Sequence, residues 1–301
     1  MIIIRFMGGL GNQLFQYALY KKFCVLGREV YADVEYIENA KKNYKTKSRQ
    51  DMAANVKNGL INLGISVKRV PKKSNIFKLN GSRRHLTGLV SRYITKNVFY
   101  ICESELEGGK IFHPEIFDIT NGYLDGYWQN EKYFKDIRQM ICEDIKFNPL
   151  TDKKNVEILK RIKESNSVSV HVRRGDYLDP GISHTYGGIC TEDYYNKAIE
   201  YFLEKDNDSF FFFFSNDMEW TKKTFASNLK NAFFIDWNSG FNDYYDMLLM
   251  SQCKNNIVAN SSFSWWGAWL NANPNKKVIA PQRWMNDGAA QETICSDWIK
   301  I

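Results

Sequence analysis

Two adjacent arginines followed by a glycine and an aspartate, Arg173 to Asp176, are the residues best suited to bind an anion. They follow the alternating stretch 167–172, which predicts a buried strand. A guanidinium binds two phosphate oxygens at once, and ligands of open α/β sheets lie beyond the carboxyl ends of strands. The pattern favours an anionic ligand. A surface Arg–Asp ion pair that only closes the strand is the alternative.

Two further predicted strands also end in polar residues. Strands that alternate with helices, as they do after residue 166, predict a parallel, doubly wound sheet. The carboxyl ends of such strands lie along one edge, where the residues that follow them can contact a nucleotide. Strand 210–214 is followed by Ser215, Asn216 and Asp217, and strand 257–259 by Asn260, Ser261, Ser262 and Phe263. A fourth strand is predicted at 278–280, and helices at 153–164, 192–205, 244–253 and 265–270.

The first residues predict a strand, a glycine turn and a helix. Residues 2–6 are apolar, glycines follow at 8, 9 and 11, and the next residues have helical apolar spacing. Free amides at the start of that helix can bind a phosphate. Leu14 stands where a nicotinamide fingerprint needs glycine or alanine, and no Lys-Ser/Thr pair forms a Walker loop. A purely structural turn explains the glycines equally well.

Composition limits the class of protein. A chain of 301 residues with 44% hydrophobic residues is globular and long enough for two domains. Its six cysteines form no CxxC pair, which predicts reduced thiols and neither zinc nor disulfides. No stretch approaches the roughly 20 apolar residues that span a bilayer, and the first residues do not resemble a signal peptide. We expect a cytoplasmic protein.

The net charge of +7 is unevenly distributed. Residues 41–100 hold 15 Lys/Arg and one acid, whereas the remainder holds 26 Lys/Arg and 33 acids. Such a segment attracts nucleic acid, anionic lipid or a phosphorylated substrate, or is a solvated face. No nucleic-acid partner is expected, because no helix-turn-helix, zinc-finger or RNP pattern accompanies the charge. We expect the segment to contact a substrate, or to make peripheral contact with the anionic inner face of the cytoplasmic membrane.

No metal and no cofactor are expected. Glycosyl transfer from a nucleoside diphosphate sugar requires the leaving pyrophosphate to be neutralised. Enzymes that use a metal for this usually carry Asp-x-Asp just after a buried strand. The triplet Asp206-Asn207-Asp208 instead precedes the phenylalanine strand, which predicts a solvated loop. Arg173, Arg174, the hydroxyls at 261 and 262, and helix-start amides could replace the metal.

Five blocks occur in order across nearly the whole chain: Gly8–Ala18, Tyr127–Phe134, His171–Tyr177, Phe214–Asp217 and Asn260–Leu270. Together they resemble the bacterial α-1,2-fucosyltransferases of glycosyltransferase family 11. The resemblance is weakest over 35–120, where acceptor specificity is expected. It implies an α/β fold of GT-B type, with two Rossmann-like domains facing across a cleft. Residues 1–150 would form the acceptor-side domain and 151–301 the GDP-fucose-binding domain, whose last helix packs back on the first.

The implied activity is inverting transfer of L-fucose from GDP-β-L-fucose to the 2-hydroxyl of a galactoside, without a metal. The acceptor would be a surface glycan, free or lipid-linked. One alternative is another linkage such as α-1,6, although the tryptophan-rich residues 265–269 favour the α-1,2 group. A non-catalytic glycan-binding protein is another, but it would be expected to lose the arginine pair or Asn12, and both are present.

The resemblance also assigns roles. Arg173 would hold the donor diphosphate, and Asn12 would face it from the other domain. His171 is a guanosine contact or a satisfied core histidine. Asp176 is the nearest carboxylate for a general base, and orienting an arginine is its competing role; Asp179, His184 and Glu192 remain as bases. The predicted catalytic residues are Arg173, Asp176 and Asn12, and the donor-binding residues are Gly11, Asn12, His171, Arg173, Arg174, Asn216, Asp217, Ser261, Ser262 and Phe263.

Overall fold

The computed structural model describes residues 1–40, 59–71 and 99–301. These residues form two parallel β-sheets with helices packed against them, which is the predicted α/β, GT-B type architecture. Most of the basic segment 41–100 lies outside the described residues, so its role stays a prediction. No helix in the described ranges is long and apolar enough to cross a bilayer.

The first sheet has the order β2-β1-β4-β3 in the described residues. All of its pairs are parallel, and Ile2 in β1 lies between Val30 in β2 and Gly122 in β4. β1 therefore lies between β2 and β4, and β3 lies beyond β4. The sequence predicts β1 and the helix after it, but not the other three strands, although β3 is apolar along its whole length. The strands are β1 (Ile2–Arg5), β2 (Val30–Asp33), β3 (Phe99–Cys102) and β4 (Gly122–Asp125).

The second sheet has the order β10-β9-β8-β5-β6-β7 and is also parallel. This is the doubly wound order of dinucleotide-binding folds, in which strand order reverses between β5 and β8. Three of the four predicted strands are confirmed, and the fourth, predicted at 257–259, is β8 at Asn255–Ile257, two residues earlier. The sequence misses the two edge strands β7 and β10. The strands are β5 (Ser167–Val172), β6 (Phe210–Ser215), β7 (Ala232–Ile235), β8 (Asn255–Ile257), β9 (Val278–Ala280) and β10 (Ile299–Lys300).

Nine α-helices with named bounds lie in the described residues, besides helical residues 59–62. The Thr191 side chain caps α6 by accepting from the Tyr194 amide at 3.3 Å, as expected of threonine before a helix. The helices are α1 (Leu10–Val25), α2 (Glu35–Glu38), α3 (Arg138–Asp144), α4 (Lys153–Glu164), α5 (Pro180–Tyr186), α6 (Glu192–Leu203), α7 (Met218–Phe225), α8 (Tyr244–Gln252) and α9 (Ser262–Leu270). Short 3-10 turns cover Glu103–Glu105, Pro114–Asp118, Glu131–Tyr133, Lys135–Ile137, Gly175–Leu178, Gly240–Asn242 and Gln291–Thr293.

Aromatic packing joins the two sheets through α1 and α9. The Phe15 ring of α1 lies 4.4 Å from Trp265 and 5.2 Å from Trp266 of α9. In β6, Phe212 and Phe214 belong to this shared core, whereas the alternate phenylalanines pack on the opposite face of the sheet. The strand is therefore buried on both faces, as its all-aromatic sequence predicts.

The end of the chain contacts the first half through a 3-10 turn. Glu292 in that turn accepts from the Phe112 amide at 2.8 Å and from the Lys132 ammonium at 2.9 Å. This turn is followed by β10, so the segment that packs back on the first half is a 3-10 turn and not the expected helix. The domain boundary at residue 150 stays a prediction. All six cysteines are unpaired, and two of them, Cys253 and Cys295, are buried.

Candidate active site

The turn after β5 is bonded to the end of β6. Val172 pairs with Ser215 in the parallel register, which brings Asn216 beside the turn. The Arg174 amide donates to Asn216 Oδ1 at 3.0 Å, and Asn216 Nδ2 donates to Asp176 Oδ1 at 3.1 Å. A Cβ at Gly175 would lie 2.8 Å from Asn216 Nδ2, so glycine is needed for this approach. Three of the predicted site residues thus form one network.

The two arginines each contact a carboxylate and an aromatic ring. Arg173 binds Asp176 at 2.9 Å, and its guanidinium lies 5.5 Å from the Tyr177 ring. Its Nε atom is buried and has no hydrogen-bond partner. Arg174 binds Asp217 at 2.6 Å. In the structure Asp176 orients Arg173, and both of its oxygens accept hydrogen bonds, which disfavours it as a general base.

Two residues at this edge have intramolecular roles that sequence patterns did not reveal. Besides binding Arg174, Asp217 caps α7 by accepting from the Trp220 amide at 3.3 Å. The Tyr177 hydroxyl donates to the Asn260 carbonyl at 2.9 Å and so ties the β5 turn to the end of β8. Only the side-chain type of Tyr177 could have suggested this, because a buried phenol needs a partner.

His171 lies in β5 and is buried. Burial, reinforced by the charge of Arg173, lowers its pKa to about 3, so the imidazole is neutral at pH 7. Its Nδ1 atom is buried without a hydrogen-bond partner, and its ring lies 5.7 Å from that of Phe263. It is therefore not a fully satisfied core histidine. Whether Nδ1 bonds guanosine stays a prediction.

The starts of α1 and α9 touch each other. A Cβ at Gly11 would lie 2.4 Å from the Ser262 carbonyl carbon and 2.6 Å from the Phe263 nitrogen. Neither helix has a side-chain cap, because α1 follows Gly9 and the Ser261 hydroxyl does not cap α9. First-turn amides have no acceptor within their helix and carry partial positive charge. Close packing explains Gly11, and two sets of uncapped helix amides meet there.

Asn12 extends this contact to the end of β4. Its Oδ1 accepts from Gln129 Nε2 at 2.7 Å. Gln129 is absent from the predicted site residues, although its block, 127–134, is among those that carry the family resemblance. A series of contacts thus links Arg173 to Gln129. It runs from the end of β5 through the starts of α9 and α1 to the end of β4.

Two cavities differ in what they offer a ligand. A cavity of about 160 Å³ lies beside the arginines and is also lined by Trp220 and Glu192. A larger, open groove of about 570 Å³ lies at the opposite, amino edge of the second sheet. Its asparagines already have partners, because the Asn271 and Asn273 side-chain amides donate to the Cys253 and Lys254 carbonyls at 2.7 and 2.9 Å. The charges of Arg173 and Arg174 and the unpaired Nε of Arg173 favour the smaller cavity as the ligand site.

Potential metal ligands in the described residues lie elsewhere. Glu131, Cys295 and Asp297 offer ligand atoms within 4.8 Å of one another, but Glu131 already binds Lys135 at 3.0 Å. Asp206, in the predicted solvated loop, accepts from Asn166 at 2.7 Å at the amino edge of the second sheet. Neither group adjoins the arginine turn.

Comparison with known proteins identifies relatives over the whole chain. Residues 1–301 match the profile of "Glycosyl transferase family 11". An O-antigen biosynthesis glycosyltransferase, WbnK, of Escherichia coli is 31% identical over 98% of each chain. An alpha-1,2-colitosyltransferase of the same organism is 32% identical over 94% of this chain and 92% of its own. Galactoside alpha-(1,2)-fucosyltransferase 1 of Saimiri boliviensis boliviensis is 25% identical over 52% of this chain and 45% of its own.

Proposed function

The chain belongs to glycosyl transferase family 11, and on that premise we propose that it transfers L-fucose from GDP-β-L-fucose to the 2-hydroxyl of a galactoside, with inversion. The acceptor hydroxyl attacks the anomeric carbon as the bond to the β-phosphate oxygen breaks, and GDP leaves. Family membership identifies a glycosyltransferase. The α-1,2 linkage is supported by the names of two relatives, and a surface-glycan acceptor by the O-antigen role of a third.

The contact between the starts of α1 and α9, next to the Arg173 turn, carries this proposal. It places two uncapped helix N-termini near a guanidinium that Asp176 orients. A diphosphate that gains charge as the sugar leaves is stabilised by such preorganised donors. The same donors can perform the neutralising task of a metal ion. We therefore propose a metal-independent reaction.

Colitose is a second candidate for the transferred sugar. It is fucose without the 3-hydroxyl group, and the relative that transfers it is 32% identical to this chain. The diphosphate contacts described above would serve either donor, because both are GDP-sugars of L-galactose type. Discrimination then depends on whether a protein group bonds the 3-hydroxyl.

A donor and acceptor screen tests the proposal. GDP-L-fucose and GDP-L-colitose are each incubated with free β-galactosides, products are detected by mass spectrometry, and linkage is determined by NMR. We expect a 2-linked α-product from at least one donor. Release of GDP with no glycoside formed in any arm, or a 6-linked product, would refute the α-1,2 proposal.

We expect the same yield in excess EDTA as in Mg²⁺ or Mn²⁺, because Arg173 and the helix amides neutralise the leaving group. The screen is repeated under both conditions with protein first dialysed against chelator. Activity that disappears in EDTA and returns with a divalent cation would refute metal independence while leaving the transferase assignment intact.

A further inference from the structure

Gln129 lies beyond the carboxyl end of β4 in the first sheet. Residues 126–130 follow β4, the α1 start follows β1, and these two strands are neighbours. Ligands of open parallel sheets bind beyond the carboxyl ends of the strands. Gln129 and Asn12 face each other there, joined by the 2.7 Å bond from Gln129 Nε2 to Asn12 Oδ1. Both side chains are only partly buried.

The turn that carries Gln129 is held in a strained conformation. Trp128 has a φ of 55°, in the left-handed region that bulky residues avoid, and its side chain is fully buried. Buried Glu103 accepts from the Tyr127 amide at 2.8 Å and from the Trp128 amide at 3.0 Å. Strain that persists because surrounding contacts hold it is concentrated at functional sites.

Two further contacts fix the same turn. A Cβ at Gly126 would lie 2.5 Å from that of Glu103, so the carboxylate packs directly on the backbone. Gln16 of α1 donates to the Gly126 carbonyl at 3.1 Å and accepts from the Met7 amide at 3.0 Å. The turn and the α1 start are thereby held together as one unit, which fixes the backbone position of Gln129.

The bond between the two amides selects the orientation of Asn12. A carboxamide next to an anion is favourable only when its N–H group, and not its oxygen, faces the negative charge. Because Gln129 donates to the oxygen of Asn12, the Asn12 nitrogen points elsewhere, and it lies over the backbone of Gly8. That glycine turn precedes the uncapped amides of α1.

We propose that Gln129 is a positioning residue: it fixes the Asn12 amide so that the N–H group of Asn12 is directed to the diphosphate of the donor. This inference rests on the proposed transferase function. Gln129 itself need not touch the substrate, and its effect on the reaction passes through Asn12.

Two substitutions separate positioning from simple support of the fold. Gln129→Met keeps the length and removes the hydrogen bond, and we expect a kcat about tenfold lower with little change in donor KM or melting temperature. Gln129→Glu should lose more activity than Gln129→Met at pH 8. The introduced carboxylate accepts from the Asn12 nitrogen, which turns the Asn12 oxygen toward the anion. As the pH falls to 4, below the ordinary glutamate pKa of about 4.3, the carboxyl becomes protonated and donates again, so activity relative to the parent should recover.

A double-mutant cycle tests whether the effect passes through Asn12. In an Asn12→Ala background, Gln129→Met should not lower kcat any further. Gln252→Glu, an exposed glutamine at the far edge of the second sheet, is the control for added charge and should match the parent at every pH.

The outcomes distinguish the two proposals. A parent protein that turns over neither GDP-fucose nor GDP-colitose refutes the proposed function, and this inference with it. An active parent with normal turnover in Gln129→Met, additive losses in the cycle, or no pH-dependent recovery of Gln129→Glu refutes the role of Gln129 alone.

Discussion

The carboxyl edges of the two sheets use the same residue types in different ways. At the first sheet, Arg5 of β1 binds both oxygens of Asp125 at 2.9 Å, and the Tyr100 hydroxyl adds a third bond to that carboxylate at 2.6 Å. At the second sheet, Arg173 contacts one oxygen of Asp176, and Asn216 bonds the other. Each edge therefore carries an arginine–aspartate pair. Arg5 and Asp125 lie in neighbouring parallel strands, whereas Arg173 and Asp176 lie in the turn after one strand.

The difference lies in what surrounds each pair. Asp125 is surrounded by an arginine and a phenol from its own sheet, so its bonds mainly join three strands. Arg173 emerges beside a cavity and beside the uncapped start of α9. An arginine at a strand end is therefore no sign of a ligand by itself. Its neighbours decide whether it can still bind an anion, and four predictions test this comparison.

Arg173→Lys should cause the largest loss of activity. Lysine keeps the charge but cannot bind two phosphate oxygens with a planar fork. We expect kcat/KM to fall by about 30- to 1000-fold, or about 2–4 kcal/mol of transition-state stabilisation, with little change in melting temperature.

Arg5→Lys is the matched control. It should lower the free energy of unfolding by about 1–3 kcal/mol, because buried Asp125 loses hydrogen bonds, and leave kcat/KM of the folded protein nearly unchanged. Urea unfolding and steady-state kinetics on both variants measure the two effects. If the two variants lose stability and kcat/KM to the same extent, the two edges do not differ in function.

His171 should make the second edge sensitive to acid. Its pKa of about 3 in the folded protein lies below the ordinary value of about 6.5. As the pH falls, the unfolded chain therefore binds the proton first. The contribution of neutral His171 to the free energy of unfolding is present above pH 6.5 and is lost as the pH falls toward 3. The slope should reach at most about 1.4 kcal/mol per pH unit. Unfolding of the parent and of His171→Gln is compared from pH 7 to 4, and equal slopes would contradict the expectation.

Gly11→Ala should disrupt the junction that joins the two edges. Its methyl group would lie 2.4 Å from the α9 backbone, and overpacking of this kind costs about 1–3 kcal/mol. Gly9→Ala is the control, since nothing lies within 4 Å of its added Cβ and its φ is −73°. Thermal unfolding of both variants measures the difference. If both are equally stable, the two helix starts are not in this close contact.

Asn12→Ala should have the smallest effect, a turnover about tenfold lower. We expect GDP affinity to be largely unchanged, because most of the proposed nucleotide-binding residues belong to the second sheet and Asn12 would close over the nucleotide from the first. Kinetics and calorimetry with GDP measure the two quantities. Loss of GDP binding would place Asn12 in the nucleotide site itself.

Local patterns predicted most of the second sheet. Alternation located β5, and apolar runs located β6, β9 and the last residue of β8. They missed β7 and β10, which lie at the sheet edges, and all strands of the first sheet after β1. Pairing with distant strands, such as that of β4 with β1 and β3, holds the missed strands of the first sheet in place, and a local pattern does not encode such pairing.

The sequence by itself determined which residue types stand at the strand ends: arginines, a glycine that permits a tight approach, and serines before a helix. Only the tertiary structure decided which of these residues meet. Gly11 packs on Ser262, and Asn12 bonds Gln129, across more than a hundred residues of chain. Such contacts depend on how helices pack, and no local periodicity encodes them. Packing likewise decided that Arg5 joins strands while Arg173 emerges beside a cavity.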